Sequence, residues 1–249
     1  MRYELYHGDC LKIIPKLDAV PCIFADPPDN IGLPYEGVDD NLPEEDYLHL
    51  MEEWLYCFVN SAETVWFSFN AKWTVKMGVI ADRVLGCFEG VSCKSCVQCF
   101  TFGQHNQYDF GNNHRPLWRF RHPCATIYPD SIRIQSERQK MGDRRADPRG
   151  RVPGDVFDFC EGDVFDFSRV VGNSKQRRKW HKTQLNEGLV ERCIKSCTQK
   201  GDTVVDPFAG TGTTLRVCKG INRSCITMDL SLFYCQQIAD EHTLMVRSA

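Results

Sequence analysis

Apolar residues along the chain follow two alternating patterns, short runs typical of strands and longer stretches with helical spacing. The strand-like runs are residues 3–6, 20–25, 64–69, 203–205 and 224–228. The helix-like stretches are residues 44–58, 72–85, 215–220 and 231–239. In a chain of 249 residues that is 42% hydrophobic, this alternation predicts one α/β domain with a substantial core and an inserted region.

The run at residues 203–205 leads into a glycine-rich turn, DPFAGTGTT at residues 206–214, and a helix-like stretch follows. Gly210 and Gly212 lack a Cβ, so the turn can be tight and its backbone can approach a bound molecule closely. We interpret the turn as a cofactor-binding loop. A surface turn between a strand and a helix is the simpler alternative.

Two kinds of nucleotide site compete for this turn. A P-loop needs Gly-Lys-Ser/Thr, whereas Gly212 is followed by Thr213 and the next lysine is Lys219, which disfavours ATP. A dinucleotide or adenosine site needs an acid at the end of the next strand, about 20 residues on, to hold ribose hydroxyls. Asp229 fits, because it directly follows the run at residues 224–228.

A second turn, DPPDN at residues 26–30, directly follows the run at residues 20–25. Pro27 and Pro28 remove two backbone donors and fix two φ angles, and Asp26 is kept out of the helical region by the proline that follows it. The turn therefore presents rigid hydrogen-bond acceptors.

With these two turns the chain resembles the amino-group DNA methyltransferases, whose signatures are Asp/Asn/Ser-Pro-Pro-aromatic and Phe-x-Gly-x-Gly. The proline motif comes first and the glycine motif last, which is similar to the permuted β group, and HKTQ at residues 181–184 resembles the segment before the glycine motif. The resemblance implies a Rossmann-like, S-adenosylmethionine-dependent methyltransferase fold with circularly permuted motif order and a loop-rich insertion. It covers most of the chain and implies a single domain over residues 1–249.

The resemblance also implies roles for individual residues. The proline motif supplies the catalytic candidates Asp26, Pro27, Pro28 and Asp29. The candidates for binding S-adenosylmethionine are Asp9, Asp206, Phe208, Gly210, Gly212, Thr213, Thr214 and Asp229. For Asp9, which follows the first strand, a helix N-cap is an equally good interpretation.

The chemistry explains why acceptors are needed. An exocyclic base amine has its lone pair delocalised into the ring and is a poor nucleophile. The Asp26 carboxylate and the Pro27 carbonyl could accept its hydrogens and favour a pyramidal nitrogen in the transition state, with the flipped base held in line. Asp rather than Ser at position 26 favours adenine N6 by resemblance, with cytosine N4 as the alternative and RNA as another substrate to consider.

Asp29 departs from the motif, which has an aromatic residue there to stack on the flipped base. Tyr35 is near enough in sequence to supply a ring, and we treat it as a further catalytic candidate. The competing hypothesis is a catalytically silent subunit that binds DNA or cofactor. An oxidoreductase would share the glycine loop but would give no reason for Asp-Pro-Pro.

The middle of the chain is basic, with 16 Lys and Arg against nine Asp and Glu between residues 115 and 182. Such a segment can supply phosphate contacts, although a solvated surface is the more common role of any one charge. We expect a target-recognition insertion at residues 100–180, including a loop-rich basic arm at residues 138–151. The candidate DNA-binding residues are His114, Arg115, Arg144, Arg145, Arg177, Arg178 and Lys179.

The 14 cysteines are interpreted as reduced, buried apolar residues. Cys93, Cys96 and Cys99 lack a second spaced pair, so we expect no metal site. No signal core or bilayer-spanning apolar run is present, which predicts a protein of the cytoplasm, in a bacterial or phage-infected cell, without a membrane partner. DNA is the expected partner, and a homodimer or a restriction-endonuclease counterpart stays open.

Overall fold

A mixed β-sheet organises the fold. The computed structural model describes residues 1–100, 106–157, 170 and 174–248. The strands in these residues are β1 (Tyr3–His7), β2 (Val20–Ala25), β3 (Ala62–Ser68), β4 (Ser92–Cys99), β5 (His114–Arg121), β6 (Val156–Phe157), β7 (Thr203–Asp206), β8 (Ser224–Asp229) and β9 (Val246–Ser248). They pair in the order β6-β4-β5-β3-β2-β7-β8-β1-β9. The run from β3 to β9 is parallel, and β5 pairs antiparallel with both β3 and β4.

Helices cover both faces of this sheet. Those in the described residues are α1 (Cys10–Ile13), α2 (Glu44–Ser61), α3 (Thr74–Leu85), α4 (Glu137–Lys140), α5 (Glu187–Cys197), α6 (Thr213–Gly220) and α7 (Leu232–His242). Short 3-10 turns lie at Ile14–Lys16, Ala71–Trp73 and Pro129–Ile132. The core residues of α1, α2 and α3 pack in one cluster, and those of α5, α6 and α7 pack in the other.

Strand β2 shows how the sequence fills both clusters. Cys22 and Phe24 pack on the side of α5 and α6, whereas Ile23 and Ala25 pack on the side of α2 and α3. A parallel strand in the middle of a sheet is buried on both faces, so it is a continuous apolar run rather than an alternating one. Burying each large side chain contributes about 1.5–3 kcal/mol.

The direction of the connections reverses between β2 and β7. From β2 the chain crosses through α2 to β3 on one side, and from β7 it crosses through α6 to β8 on the other. In open α/β sheets, ligands bind beyond the carboxyl ends of the strands at such a reversal. The DPPDN turn follows β2 and the glycine loop follows β7, so the fold brings both motifs to this place.

The α/β prediction is confirmed, and the strand-like runs and helix-like stretches correspond to β1, β2, β3, β7, β8 and α2, α3, α6, α7. The expected insertion at residues 100–180 includes β5, which is an internal strand of the sheet between β4 and β3. The basic arm contains the last residues of α4 and an isolated β-bridge from Arg151 to Ile134, and is otherwise turns and irregular chain. Residues 101–105, 158–169 and 171–173 of the expected insertion lie outside the described residues.

Candidate active site

Side chains from outside the DPPDN turn hold its backbone. They donate to three successive carbonyls: Tyr47 Oη to Pro28 O at 2.9 Å, Trp73 Nε1 to Asp29 O at 2.8 Å, and Lys72 Nζ to Asn30 O at 2.7 Å. Among the hydrogen bonds that join described residues, none uses the Pro27 carbonyl. The turn is therefore fixed at three carbonyls and keeps a fourth as an acceptor beside Asp26.

Arg115 in β5 joins the two carboxylates of this turn. Its Nη1 donates to Asp29 Oδ2 at 2.6 Å, and its Nη2 donates to Asp29 Oδ1 at 3.0 Å and to Asp26 Oδ1 at 2.8 Å. The Nε group donates to Ser68 Oγ at 2.6 Å. Although burial alone would lower the pKa of Arg115, Asp29 and Asp26 raise it above its ordinary value. Asp26 Oδ2 forms no hydrogen bond with another described residue, so it remains an acceptor.

The glycine loop requires its glycines. Gly210 has φ +48° and Gly212 has φ +73°, which is the left-handed region where a Cβ is unfavourable. A Cβ on Gly210 would lie 3.3 Å from His181 Nε2, and one on Gly212 would lie 3.2 Å from Ile238 Cγ1. Both glycines are therefore needed for the turn and for close packing.

Two acids at strand ends hold the loop. Asp229 accepts from the Gly210 N–H at 2.9 Å and from the Ser231 N–H at 2.8 Å, and Asp206 accepts from the Phe208 N–H at 3.1 Å. Burial raises the pKa of Asp206 to about 7 and also raises the pKa of Asp229. Burial therefore makes both carboxylates costly to ionise.

The remaining residues of the glycine motif have mainly packing contacts. The Phe208 ring meets Trp54 edge-on at 5.0 Å between centroids. Thr213 Oγ1 lies 2.8 Å from Thr211 Oγ1, and the Thr214 side chain partly offsets the effect of burial on the pKa of Asp206. These contacts fix the start of α6 below the cavity.

Tyr35 and His181 form one wall of the cavity. Tyr35 Oη lies 3.2 Å from Thr183 Oγ1, and the Tyr35 ring centroid lies 5.5 Å from that of His181. His181 in turn packs against Tyr234 at 4.6 Å, and burial lowers its pKa. This wall stands next to Gly210, since the His181 ring approaches that glycine.

The loop that carries Tyr35 is organised by Asp40, whose side chain is buried. The Asp40 carboxylate accepts from three backbone N–H groups: Asn30 at 2.7 Å, Ile31 at 3.2 Å and Leu33 at 2.8 Å. A buried carboxylate with several N–H donors fixes the conformation of the loop around it.

One cavity of about 730 Å³ unites these features, a volume typical of ligand pockets. The predicted catalytic and cofactor residues that line it are Asp9, Asp26, Pro27, Pro28, Asp29, Tyr35, Asp206, Phe208, Gly210, Thr213, Thr214 and Asp229. Asp9 is also the N-cap of α1, because its Oδ1 accepts from the Leu11 N–H at 3.0 Å. Gly212 lies behind the lining, at the start of α6.

The predicted DNA-binding residues separate into two groups. His114 and Arg115 line the cavity, and Arg115 is paired with the two aspartates there. Outside it, Arg145 pairs with Asp143 at 2.9 Å, and Arg178 Nε donates to Glu241 in α7 at 2.9 Å. The side chains of Arg144 and Lys179 are exposed and that of Arg177 is half-buried.

Sequence reasoning missed the residues that hold the proline turn. The spacing of the aromatic residues in α2 indicates only a core face, but Tyr47 also donates its hydroxyl to the Pro28 carbonyl. The signal was available, because a buried tyrosine or tryptophan must find a partner for its polar group. For Ser68 and Asp40 no comparable local signal exists.

Two absences apply to the part of the chain that the structure describes. There, no cluster of three or more His, Cys, Asp or Glu side chains is arranged to hold a metal ion. Likewise, none of the helices described combines the length and apolar composition that crossing a bilayer requires. The cysteines described are free thiols.

Comparison with known proteins gives consistent matches. A DNA methylase family model, N6_N4_Mtase, matches residues 20–240. The type II methyltransferase M.HpaI of Haemophilus parainfluenzae is 30% identical over 241 residues, which are 94% of this chain and 72% of that protein. The DNA adenine methyltransferase YhdJ of Escherichia coli (strain K12) is 28% identical over 240 residues, covering 92% of this chain and 79% of that protein.

Solved structures share the fold. The M1.HpyAVI–SAM complex superposes with a TM-score of 0.64 at 16% identity, covering 97% of this chain and all of that one. PvuII DNA methyltransferase, described as cytosine-N4-specific, has a TM-score of 0.66 at 14% identity, covering 97% of this chain and 86% of that one. At these identities the likeness concerns the fold.

Proposed function

The chain belongs to the DNA methylase family, and we propose that it transfers a methyl group from S-adenosylmethionine to the N6 amine of adenine in DNA. At the level of the family it is an S-adenosylmethionine-dependent DNA amino-methyltransferase. The observation that carries the proposal is the meeting of two turns at one cavity. Asp26 Oδ2 and the Pro27 carbonyl are available acceptors there, and the glycine loop lies beside them.

The residues around the glycine loop suit the cofactor. Gly210 and Gly212 leave space that a Cβ would fill. Asp229, at the end of β8, uses one lone pair of each oxygen for the loop N–H groups and has others for ribose hydroxyls. When bound, S-adenosylmethionine supplies a methyl group on a positively charged sulfonium. Asp206 is the buried carboxylate of the same loop, and a nearby positive charge would favour its ionised form.

The proline turn acts on the base amine. Asp26 Oδ2 and the Pro27 carbonyl accept its two hydrogens, which draws the nitrogen lone pair out of the ring and toward the methyl group. With the cofactor bound, its sulfonium would give up the methyl group to the amine lone pair and leave as the neutral thioether, and Asp26 Oδ2, which accepts one of the amine hydrogens, would take the proton that the methylated nitrogen releases. Fixed acceptors next to the developing charge stabilise that transition state without reorganisation.

Adenine is proposed on two grounds. Asp rather than Ser begins the proline motif, and the relative YhdJ is described as an adenine methyltransferase. The fold itself does not discriminate, because PvuII methyltransferase is described as cytosine-N4-specific.

DNA is the substrate that the family implies, and we assign phosphate contacts to the exposed arginines of the basic arm and to residues 177–179 as part of the same proposal. We also propose a restriction-endonuclease counterpart, because M.HpaI is a type II methyltransferase. The reaction is proposed to take place in the cytoplasm of a bacterial or phage-infected cell. Gel filtration with and without DNA would test for a homodimer.

The test is nucleoside analysis. Purified protein is incubated with unmethylated DNA and S-adenosylmethionine, and the DNA is digested and examined by mass spectrometry. We expect N6-methyladenine, reduced by about 100- to 1,000-fold with Asp26→Ala, because that change removes a transition-state acceptor. N4-methylcytosine in place of N6-methyladenine would contradict the choice of base. The absence of both products would contradict the reaction itself.

A further inference from the structure

We propose that Arg115 and Asp29 are positioning residues that hold the Asp26 carboxylate and set the net charge beside the reacting amine. The inference rests on the proposed methyl transfer and explains the departure from the family motif at position 29. It assigns Arg115 a role at the reacting centre instead of the phosphate contact that its place in the basic segment suggests.

The three side chains form a closed arrangement. Arg115 gives two hydrogen bonds to Asp29, one to Asp26 and one to Ser68, so four of its five N–H groups are used. The Asp29 side chain is only 10% exposed and that of Arg115 only 20%. A planar guanidinium with this many bonds fixes the carboxylates in both distance and plane.

The two aspartates have different roles in this arrangement. Arg115 occupies both oxygens of Asp29, whereas it occupies only Oδ1 of Asp26. Asp26 Oδ2 is thereby turned away from Arg115 and kept as the acceptor for the amine. Asp29 serves as the second anchor of the guanidinium.

Charge gives Asp29 a second effect. Positive charge develops on the amine during transfer, so an arginine touching Asp26 would by itself cancel the stabilisation that Asp26 provides. With Asp29 present, two carboxylates and one guanidinium leave a net charge of −1. An aromatic residue at position 29 could not offset Arg115, so Asp29 and Arg115 function as a pair.

The test uses single-turnover transfer of labelled methyl to DNA. Asp29→Asn keeps the shape of the side chain and one acceptor but makes the cluster neutral. We expect its rate at saturation to fall by about 10- to 100-fold, with the Kd for S-adenosylmethionine and the KM for DNA within about threefold of wild type. Arg115→Lys loses the paired N–H donors of the guanidinium group, and we expect it to lower the rate by a similar factor.

The double variant Asp29→Asn/Arg115→Gln separates positioning from simple damage. It restores the net charge of −1 and keeps amide groups that can hydrogen-bond to each other and to Asp26. We expect it to be faster than Asp29→Asn alone by about fivefold or more, a non-additivity typical of groups in one network. A purely structural role would make the double variant as slow as the single variant or slower.

A matched control is available in β1, next to the edge strand β9. Glu4 is a buried carboxylate paired with Arg2 at 2.6 Å and with Arg247 at 2.5 Å, and it does not line the cavity. Glu4→Gln also removes one negative charge from a carboxylate paired with arginines. Cooperative unfolding shows that this variant is folded, and its transfer rate should then stay within twofold of wild type.

The outcomes are distinct. A wild-type protein that labels no DNA would overturn the proposed function and this inference with it. An active wild type beside an Asp29→Asn variant of equal rate, or a double variant without recovery, would overturn the positioning role alone.

Discussion

The pKa of Asp206 in the cavity and the pKa values of two aspartates in the basic arm are shifted in opposite directions. Burial raises the pKa of Asp206 to about 7 at the floor of the cavity. In the arm, hydrogen bonds from Arg145 and Arg149 lower the pKa of the half-buried Asp143 and of the exposed Asp147. Ionising Asp206 is therefore costly, whereas water and neighbouring arginines stabilise the ionised aspartates of the arm.

The arginines differ in the same way. Arg115 reaches Asp29 and Asp26, which lie 86 and 89 positions away in the sequence, whereas Arg145 reaches Asp143, only two positions away. Exposed ion pairs contribute about 0–1 kcal/mol, but a partly buried, multiply bonded pair fixes distant segments relative to each other. Changes in the cavity should therefore have large effects and changes in the arm small ones.

The pH dependence of stability should show the largest difference. Between about pH 4 and pH 7, native Asp206 keeps a proton that the unfolded chain has lost, so the free energy of unfolding falls as pH rises, by up to about 4 kcal/mol. Urea unfolding across this range should show that slope, a smaller one for Asp206→Asn, and the wild-type slope for Asp143→Asn. Parallel curves for wild type and Asp206→Asn would refute the assignment.

Tyr35 should show the next largest effect. If its ring stacks on the flipped base, Tyr35→Ala loses about 1–3 kcal/mol of binding, and transfer at low DNA concentration falls by about 10- to 100-fold. Tyr35→Phe keeps the ring and should remain within about threefold of wild type. An unchanged rate for Tyr35→Ala would remove the stacking role.

Two glycines with the same backbone conformation allow a closer comparison. Gly210 in the cofactor loop has φ +48°, and Gly142 in the basic arm has φ +70° with nothing within 4 Å of a Cβ. Alanine costs about 1–2 kcal/mol of backbone strain at either site. Only Gly210→Ala also pushes on His181, so calorimetry should show S-adenosylmethionine binding about tenfold weaker for that variant and unchanged for Gly142→Ala. Equal weakening in both would contradict a local effect.

Arg145 should show the smallest effect. Arg145→Ala removes an 81% exposed side chain from a local ion pair, so its unfolding free energy should change by less than about 0.5 kcal/mol. If the arm binds phosphates, the slope of log affinity for DNA against log salt should fall by about one. An unchanged slope would exclude this residue as a phosphate contact.

The sequence predicted the parts of the site that have local signals. Prolines after the β2 run and glycines after the β7 run mark turns by their own backbone chemistry, and both turns line the cavity. The partner of Asp29 could not be predicted, because it depends on β5 pairing antiparallel with β3, a long-range arrangement without a local sequence signal. Asp40 was missed for a similar reason, since an isolated aspartate does not reveal which N–H groups it accepts from.

The most direct test of the central claim makes the same change, aspartate to asparagine, once in the cavity and once in the basic arm. Asp26→Asn and Asp143→Asn are compared with wild type in single-turnover transfer of labelled methyl from S-adenosylmethionine to DNA. We predict about one methyl per enzyme for wild type and Asp143→Asn, and a rate at least about 100-fold lower for Asp26→Asn with cofactor binding retained. Equal rates in all three proteins, or no label in DNA from a wild type that binds the cofactor, would contradict the assignment of Asp26 and the proline turn to the reaction.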